Sequence, residues 1–452
     1  MSDTIVAIAT PPGRGGVGII RVSGPACQQI CLALTKKSLQ PRAATFTKFL
    51  KESGEIIDSG LSLFFAAPKS FTGEDVLELQ AHGGPVVLDL LLRRVVELGA
   101  RLARAGEFSE RAFLNNKIDL VQAEAVAALI NANTEQAAAA AVRSLQGEFS
   151  SRINFLVEEL IKLRLYVEAA IDFPEEEIDF LADAHIITKI NYLLQQLDEI
   201  QTQAQRGVLL QEGITVVIAG EPNAGKSTLI NALTQEETAI VTPIAGTTRD
   251  TIKASINLDG VLLNVIDTAG IRDTTDIVEQ QGIKRAKQAL QSADFVLLVV
   301  DATKHAITEL ANIYSTLQQD YKSGARIIVV YNKIDCTNIT SHVARLADHT
   351  VVALSANTGL GLELLRSEIK SLAGLNYDAE AGNFLARRRH LDAIQRAERC
   401  VLFGKECLEK NKAGELLAEE LRQAQMVLSE ITGVFTADDL LGRIFAEFCI
   451  GK

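Results

Sequence analysis

The sequence predicts a multidomain chain. An α+β N-terminal domain spans residues 1–118, an all-α helical domain comes in two parts, 119–210 and 378–452, and an α/β domain over 213–376 is inserted between those parts. Three observations predict this. The chain has 452 residues, enough for about three domains of ordinary size. All nine prolines lie at or before Pro243, which leaves the later segments free to be helical. The apolar pattern also changes character several times along the chain.

Through residue 118, short apolar runs (TIVAIAT, VGIIRV, LSLFFAA, VLELQAH) are separated by Gly and Pro, the mark of mixed strands and helices. From Leu120 to Ile171 the sequence turns Ala-rich and proline-free. There Ile153, Leu156, Leu160, Leu163, Val167 and Ala170 recur every three or four residues, predicting a bundle helix. From 213 to 376 strands and helices alternate: ITVVIAG, KSTLINALT, TIKASINLDGVLLNVID, DFVLLVVD, ARIIVVYNKID, TVVALSA and GLELLRSEIKSLAG. That alternation predicts a mostly parallel sheet wrapped by helices. Beyond Asn383 helical spacing returns with Leu417, Leu421, Ala424, Leu428 and Ile431, then Gly433 as a stop and Thr436 as a new start.

Composition excludes several classes. Apolar residues make up 47% and charged residues 23%, which argues against disorder. The net charge of −12 repels nucleic acid and anionic membranes, so any RNA contact is local or made by a partner. FVLLVV, from Phe295 to Val300, is among the longest apolar runs and is far too short to span a bilayer. Asp3 and the early Pro11 argue against a signal peptide, so a cytoplasmic protein with no membrane partner is expected. Six cysteines without CxxC spacing read as reduced thiols, mostly in the core, and six scattered histidines do not suggest a zinc site.

The chemistry begins at Gly220. Gly220 to Ser227 reads GEPNAGKS, a GxxxxGK[ST] phosphate loop placed between an apolar strand and a helix. Its glycines let backbone amides turn toward phosphate oxygens. The helix points its positive end at them, Lys226 adds a point charge and Ser227 offers a hydroxyl to Mg2+. DTAG follows at Asp267 to Gly270, where a carboxylate can hold the magnesium shell and a glycine amide can sense a γ-phosphate. NKID, Asn332 to Asp335, ends the strand ARIIVVY; the Asp335 carboxylate can accept two hydrogen bonds from a guanine edge, which adenine cannot supply. Asn332 would brace the loop, Lys333 would lay its stem on the base, and Ser355 to Asn357 (SAN) would offer backbone amides to the guanine carbonyl. With these four motifs in order, residues 213–376 resemble the translational-GTPase class, whose P-loop fold is shared by Ras-like and ribosome-assembly proteins.

The hydrolytic site departs from the Ras-like pattern. Where those proteins place a water-orienting glutamine after DTAG, this chain has Ile271. Asp273, Asp276 and Glu279 are the nearby acids, and Glu279 opens the helix-like VEQQGIKRAKQAL. Asn223 and the hydroxyl-rich VTPIAGTTRD, Val241 to Asp250, gather neutral oxygens that suit a large monovalent cation. We therefore expect K+ in the place of an arginine finger.

Four longer stretches carry a more specific likeness. DTIVAIATPPGRGGVGIIRVSG, FTGEDVLELQAHGG, GEFSERAFLNNKIDLVQAEAV and DDLLGRIFAEFCIGK together resemble the MnmE (TrmE) family of tRNA modification GTPases along the whole chain. The resemblance implies a homodimer that hydrolyses GTP. With an FAD-carrying flavoprotein of the MnmG (GidA) type, it would add an aminomethyl or carboxymethylaminomethyl group at the five-position of the wobble uridine of certain tRNAs. It also implies 5-formyltetrahydrofolate, or a related folate, on the N-terminal domain. The implied folate contacts are Arg21, Glu78, Lys117 and Lys452. The implied K+ ligands are Asn223, Thr242, Ile244 through its carbonyl, and Thr247; Mg2+ falls to Ser227 and Thr248, and the catalytic acid is Glu279. GTP contacts fall on Asn223, Ala224, Gly225, Lys226, Ser227, Thr228, Thr242, Thr247, Thr248, Asp267, Thr268, Ala269, Gly270, Asn332, Lys333, Asp335, Ser355, Ala356 and Asn357.

Three other motifs are set aside. GRGGVG from Gly13 leads into a strand-like IIRV, unlike a dinucleotide site; CIGK ends in lysine, unlike a prenylation signal, with Cys449 expected in a folate pocket or helix core; and ARRRH, Ala386 to His390, reads as a solvated helix face. The alternative reading is a ribosome-assembly or regulatory GTPase, for which the α/β domain alone would serve.

Overall fold

The structure, a computed structural model, describes residues 3–172, 184–235, 254–258, 260–267, 293–310, 326–346, 349–373, 384–434, 438–446, 448, 449 and 451. The chain divides into two compact units. One comprises Met1–Ile130, Ser144–Leu197 and Asp392–Lys452; the other comprises Asn131–Arg143 and Asp198–Leu391.

The first unit opens with β1 (Ile5–Ile8), β2 (Gly15–Ser23), α1 (Cys27–Thr35), β3 (Thr45–Leu50), β4 (Ile56–Phe65), β5 (Val76–Gly83), α2 (Pro85–Glu97), β6 (Arg101–Leu102) and α3 (Glu107–Leu114). Its six strands order as β3-β4-β5-β2-β1-β6, antiparallel except where β1 meets β6. Alternation puts Val6, Ile20, Val22, Leu77 and Leu79 on one sheet face. They pack there against Ile30 and Leu34 of α1 and Leu88, Leu91 and Val95 of α2. The Gly13–Gly18 glycines lead straight into β2, so no helix start is available to a dinucleotide.

Where the spacing predicts one helical stretch from Leu120 to Ile171, the chain forms α4 (Leu120–Ile130), α5 (Glu135–Leu145) and α6 (Glu148–Asp172). The breaks have local causes. Thr134 Oγ1 accepts a hydrogen bond from the Ala137 amide at 3.1 Å, capping α5, and Gly147 takes φ +87° before α6. α7 (Ala184–Glu212) follows.

The second unit holds a seven-stranded sheet built from β7 (Ile214–Gly220), β8 (Ala254–Leu258), β9 (Val261–Asp267), β10 (Phe295–Asp301), β11 (Arg326–Asn332), β12 (His342–Arg345) and β13 (Thr350–Ala353). Their order is β12-β13-β11-β10-β7-β9-β8, parallel throughout except for the two edge strands. All seven residues of β10 are buried, as a strand covered on both faces requires. α8 (Lys226–Gln235) and α9 (Leu362–Leu372) belong to this unit. β7 is the first strand of the sheet and lies between β9 and β10, so the chain leaves it to one side and later returns on the other. Open α/β sheets bind ligands beyond the carboxyl end of such a strand, and GEPNAGKS begins there.

After this unit come α10 (Arg388–Asn411), α11 (Gly414–Thr432) and α12 (Asp438–Ala446). In the first unit α11 pairs along α6, with Arg164 Nη1 donating to Gln425 Oε1 at 3.0 Å. Gly433 ends α11 at φ +90°, as its sequence position suggests, and Thr436 lies outside the described residues. Leu120 and Ala123 of α4 bury against Ile444, Phe445 and Phe448 near the C-terminus. Among the described residues no helix is long and apolar enough to cross a membrane. The cysteines are free: Cys27, Cys31 and Cys407 are buried and Cys400 is half-buried. Cys336 and Cys449 are exposed, so of the two places expected for Cys449, a folate pocket or the helix core, it does not occupy the second; its carbonyl lies 3.5 Å from the Gly106 amide, between the buried Phe448 and Gly451.

Candidate functional site

The phosphate loop is shaped by three residues of positive φ: Gly220 (+142°), Asn223 (+65°) and Gly225 (+98°). Two are glycine because the chain passes other groups too closely for a side chain. A Cβ on Gly220 would lie 2.2 Å from the Val299 carbonyl oxygen of β10, and one on Gly225 would lie 2.3 Å from Asn332 Nδ2. Lys226 opens α8 and its Nζ donates to the carbonyls of Gly220 and Glu221, 2.8 Å each, which holds the ammonium within the loop. Ala224 is buried; Asn223, Ser227 and Thr228 are exposed.

Asn332 connects this loop to the two others. It is 2% exposed. Its Nδ2 donates to the Ala224 carbonyl at 2.9 Å, and its Oδ1 accepts from the Ala356 amide at 2.9 Å. One buried carboxamide thereby ties GEPNAGKS, NKID and SAN together, so residues more than a hundred positions apart share one corner of the sheet. Next to it Lys333, at φ +68°, donates from Nζ to the Asn223 carbonyl at 2.8 Å and to Asp301 Oδ2 at 2.7 Å. Asp335 is exposed; a hydrogen bond from the Ser355 hydroxyl is the main reason its carboxyl lies below the ordinary range. That carboxylate stays ionised at neutral pH, as recognition of a guanine edge requires. Ser355 itself is fully buried.

Asp301 belongs to none of the four nucleotide motifs. It ends β10 and is 3% exposed. Burial pushes its pKa upward, but hydrogen bonds from Lys333 and from the side chain and amide of Thr303 outweigh that and hold it at about 2. The available signal was the spelling DFVLLVVD, a wholly apolar strand ending on an acid.

Asp267 closes β9 opposite Ile218 of β7, beside the start of the phosphate loop; its side chain lies outside the described residues. Thr242, Ile244, Thr247, Thr248, Thr268, Ala269, Gly270 and Glu279 also lie outside them, as does Lys452.

A second constellation sits in the first unit. Arg21 and Glu78 face each other across β2 and β5, and their side chains form an ion pair at 2.9 Å with both groups about four-fifths buried. The Arg21 guanidinium lies 5.7 Å from the Phe71 ring centroid and 5.8 Å from that of Phe108, and Nη1 donates to the Gly451 carbonyl at 3.4 Å. Lys117 donates from Nζ to the Pro68 carbonyl at 3.0 Å, in the loop that carries Phe71. The constellation thus gathers a cation, an anion, the exposed Phe71 ring and, beneath the guanidinium, the fully buried Phe108 ring, with Gly451 against it.

Phe108 is placed by α3, which a charge network secures. Glu107, 2% exposed, accepts from Arg101 Nη1 at 2.9 Å, the Arg104 amide at 2.8 Å and Arg111 Nη2 at 3.2 Å. Arg111 also reaches Glu74 at 2.9 Å and Asp3 at 2.6 Å.

The chain is similar to known proteins along its whole length. A family model described as the MnmE helical domain matches residues 120–449, and one described as the GTP-binding protein TrmE N-terminus matches residues 4–117. A protein described as tRNA modification GTPase MnmE from Pseudomonas aeruginosa (strain UCBPP-PA14) is 56% identical over 452 residues, covering 100% of this chain and 99% of its own. One of the same description from Legionella pneumophila (strain Paris) is 57% identical over 451 residues, with the same coverage. Among solved structures, the G domain of the T. maritima FeoB iron transporter is 26% identical. It covers 35% of this chain and 98% of that one, at a TM-score of 0.26.

Proposed function

The chain belongs to the MnmE family of tRNA modification GTPases, a GTP hydrolase linked to tRNA modification, and from that premise we propose that it works as a potassium-dependent homodimer on the wobble uridine. In this reading it acts with an FAD-carrying MnmG (GidA) type flavoprotein. Together they add an aminomethyl or carboxymethylaminomethyl group at the five-position, using a one-carbon unit from 5-formyltetrahydrofolate or a related folate. The compartment is the cytoplasm.

The observation that carries the nucleotide half is the Asn332 carboxamide, which joins the phosphate, NKID and SAN loops. Asp335, ionised under its Ser355 hydrogen bond, reads the guanine edge. Lys226 lies within the loop that receives the β- and γ-phosphates. The donor set fits the proposed ions: Ser227 is an exposed hydroxyl on the first turn of α8, and Asn223 is an exposed amide in the loop. Ser227 and Thr248 would hold Mg2+; Asn223, Thr242, the Ile244 carbonyl and Thr247 would hold K+. When bound, the two cations supply positive charge to the transferring phosphoryl group. Glu279 orients water, since Ile271 has no group to do so. Two G domains pair across the dimer. Thr228, Thr268, Ala269, Gly270 and Asn357 complete the nucleotide contacts.

The Arg21–Glu78 pair carries the folate half. Glu78 accepts from the donor edge of a pterin, and Arg21, Lys117 and Lys452 meet the formyl oxygen or glutamate tail. Three experiments test the proposal. GTP turnover falls at least tenfold when Na+ replaces K+, and equal rates overturn the cation assignment. Glu279→Ala abolishes turnover while keeping GDP binding; lost binding makes the residue structural. Nucleoside analysis of tRNA from cells lacking the protein shows loss of the wobble modification, whereas unchanged wobble uridines favour a ribosome-assembly role.

A further inference from the structure

We infer that Asp301 is a positioning residue for guanine-nucleotide binding, acting through Lys333. The inference rests on the nucleotide site described above. The ammonium of Lys333 sits between two acceptors, Asp301 Oδ2 at 2.7 Å and the Asn223 carbonyl at 2.8 Å. One acceptor is a carboxylate at the end of a core strand; the other belongs to the phosphate loop, at a residue of positive φ. Lys333 has four rotatable side-chain bonds and only a third of its side chain is exposed, so without a fixed counter-charge it must be ordered when the nucleotide arrives. Asp301 does that ordering in advance. Its own geometry is set by β10 and by Thr303, whose amide and hydroxyl donate to Oδ1 at 3.0 and 2.7 Å. The two oxygens divide the work: Oδ1 shapes the turn after β10, and Oδ2 aims the lysine.

This division makes the inference separable from a structural role. Asp301→Asn keeps the shape and removes the charge, and a charge-assisted hydrogen bond lost at a partly buried site corresponds to about tenfold or more in affinity. In the full-length protein, titration with a fluorescent GDP analogue is expected to give a dissociation constant raised about tenfold for Asp301→Asn. The double variant Asp301→Asn/Lys333→Met is expected to bind no more weakly than Lys333→Met alone, because the second change removes what the first acts upon. Additive losses overturn the inference, since Asp301 would then act by another route. Thr303→Val removes the hydroxyl donor to Oδ1 while leaving Oδ2 on Lys333. Affinity within about threefold of the native protein is expected for it; a loss equal to that of Asp301→Asn also overturns the inference. If the native chain binds no guanine nucleotide, the site reading itself falls and the inference with it, an outcome distinct from additive losses in a chain that binds.

Discussion

Protonating Glu107 provides a quantitative test of how the Arg21 patch is supported. Burial raises the pKa of this carboxyl, yet hydrogen bonds from Arg101, the Arg104 amide and Arg111 overcome it and bring the value from an ordinary 4.5 to about 2. A depressed folded-state pKa means that the stabilisation is fully present above pH 4.5 and is lost as pH falls toward 2. At about 1.4 kcal/mol per pH unit, the pair of values gives about 3 kcal/mol in all, of which about 2 kcal/mol is gone by pH 3. That loss corresponds to about a thirtyfold drop in protection of the α3 amides if opening of α3 exposes the carboxyl. Hydrogen exchange of the full-length protein by mass spectrometry at pH 6 and pH 3, corrected for intrinsic rates, measures it on the peptide containing Glu107–Leu114. Other acids titrate in the same range, so Glu107→Gln is the control. It loses protection already at pH 6, because a buried partner of three arginines has been neutralised, and its further loss between pH 6 and pH 3 shrinks by about thirtyfold relative to the native chain. An equal pH response in native and variant proteins refutes the assignment, as does native-like protection of Glu107→Gln at pH 6.

Other expectations follow from single contacts. Gly225→Ala places a methyl 2.3 Å from Asn332 Nδ2 at φ +98°, so GDP affinity should fall by at least tenfold; near-native affinity in a fluorescence titration contradicts the packing described. Arg21→Met leaves Glu78 without its ion-pair partner and should weaken 5-formyltetrahydrofolate binding at least tenfold in calorimetric titration, with circular dichroism unchanged. Cys336 lies beside Asp335, whose hydrogen bond and charge raise its thiol pKa. Asp335→Asn should therefore speed maleimide labelling of Cys336 at pH 7 several-fold, read by peptide mass. Cys27, whose thiol burial drives up to about 12, should remain unlabelled until the protein unfolds.

The nucleotide loops were legible because each consists of residue types that only a few geometries require. GEPNAGKS needs its glycines where Val299 and Asn332 pass close by, and NKID needs an acid at a fixed offset from a strand end. Their assembly was less legible. That Asn332 would spend both halves of its carboxamide on the neighbouring loops depends on strand order, which spacing does not encode. Asp301 carries only the weak signal of an acid closing an apolar strand, since its partner Lys333 is 32 positions away, just past the end of the next strand. The helical stretch after Leu120 was read as one element because Ala-rich sequence keeps its periodicity across a break; Thr134 and Gly147 were the signals that divide it. For Cys449 the sequence suggests a folate pocket or the helix core, and its exposure is at odds with the second.

The cross-strand placement of Arg21 opposite Glu78 has one more consequence. Because the sheet register already closes this circuit of opposite charges, an incoming molecule has to substitute for one member of the pair while satisfying the other. Compounds offering only an anion, or only a donor edge, break the circuit without repairing it. In the proposed folate reading, discrimination comes from demanding both at once, so halves of the folate should compete poorly even at concentrations where the intact molecule saturates.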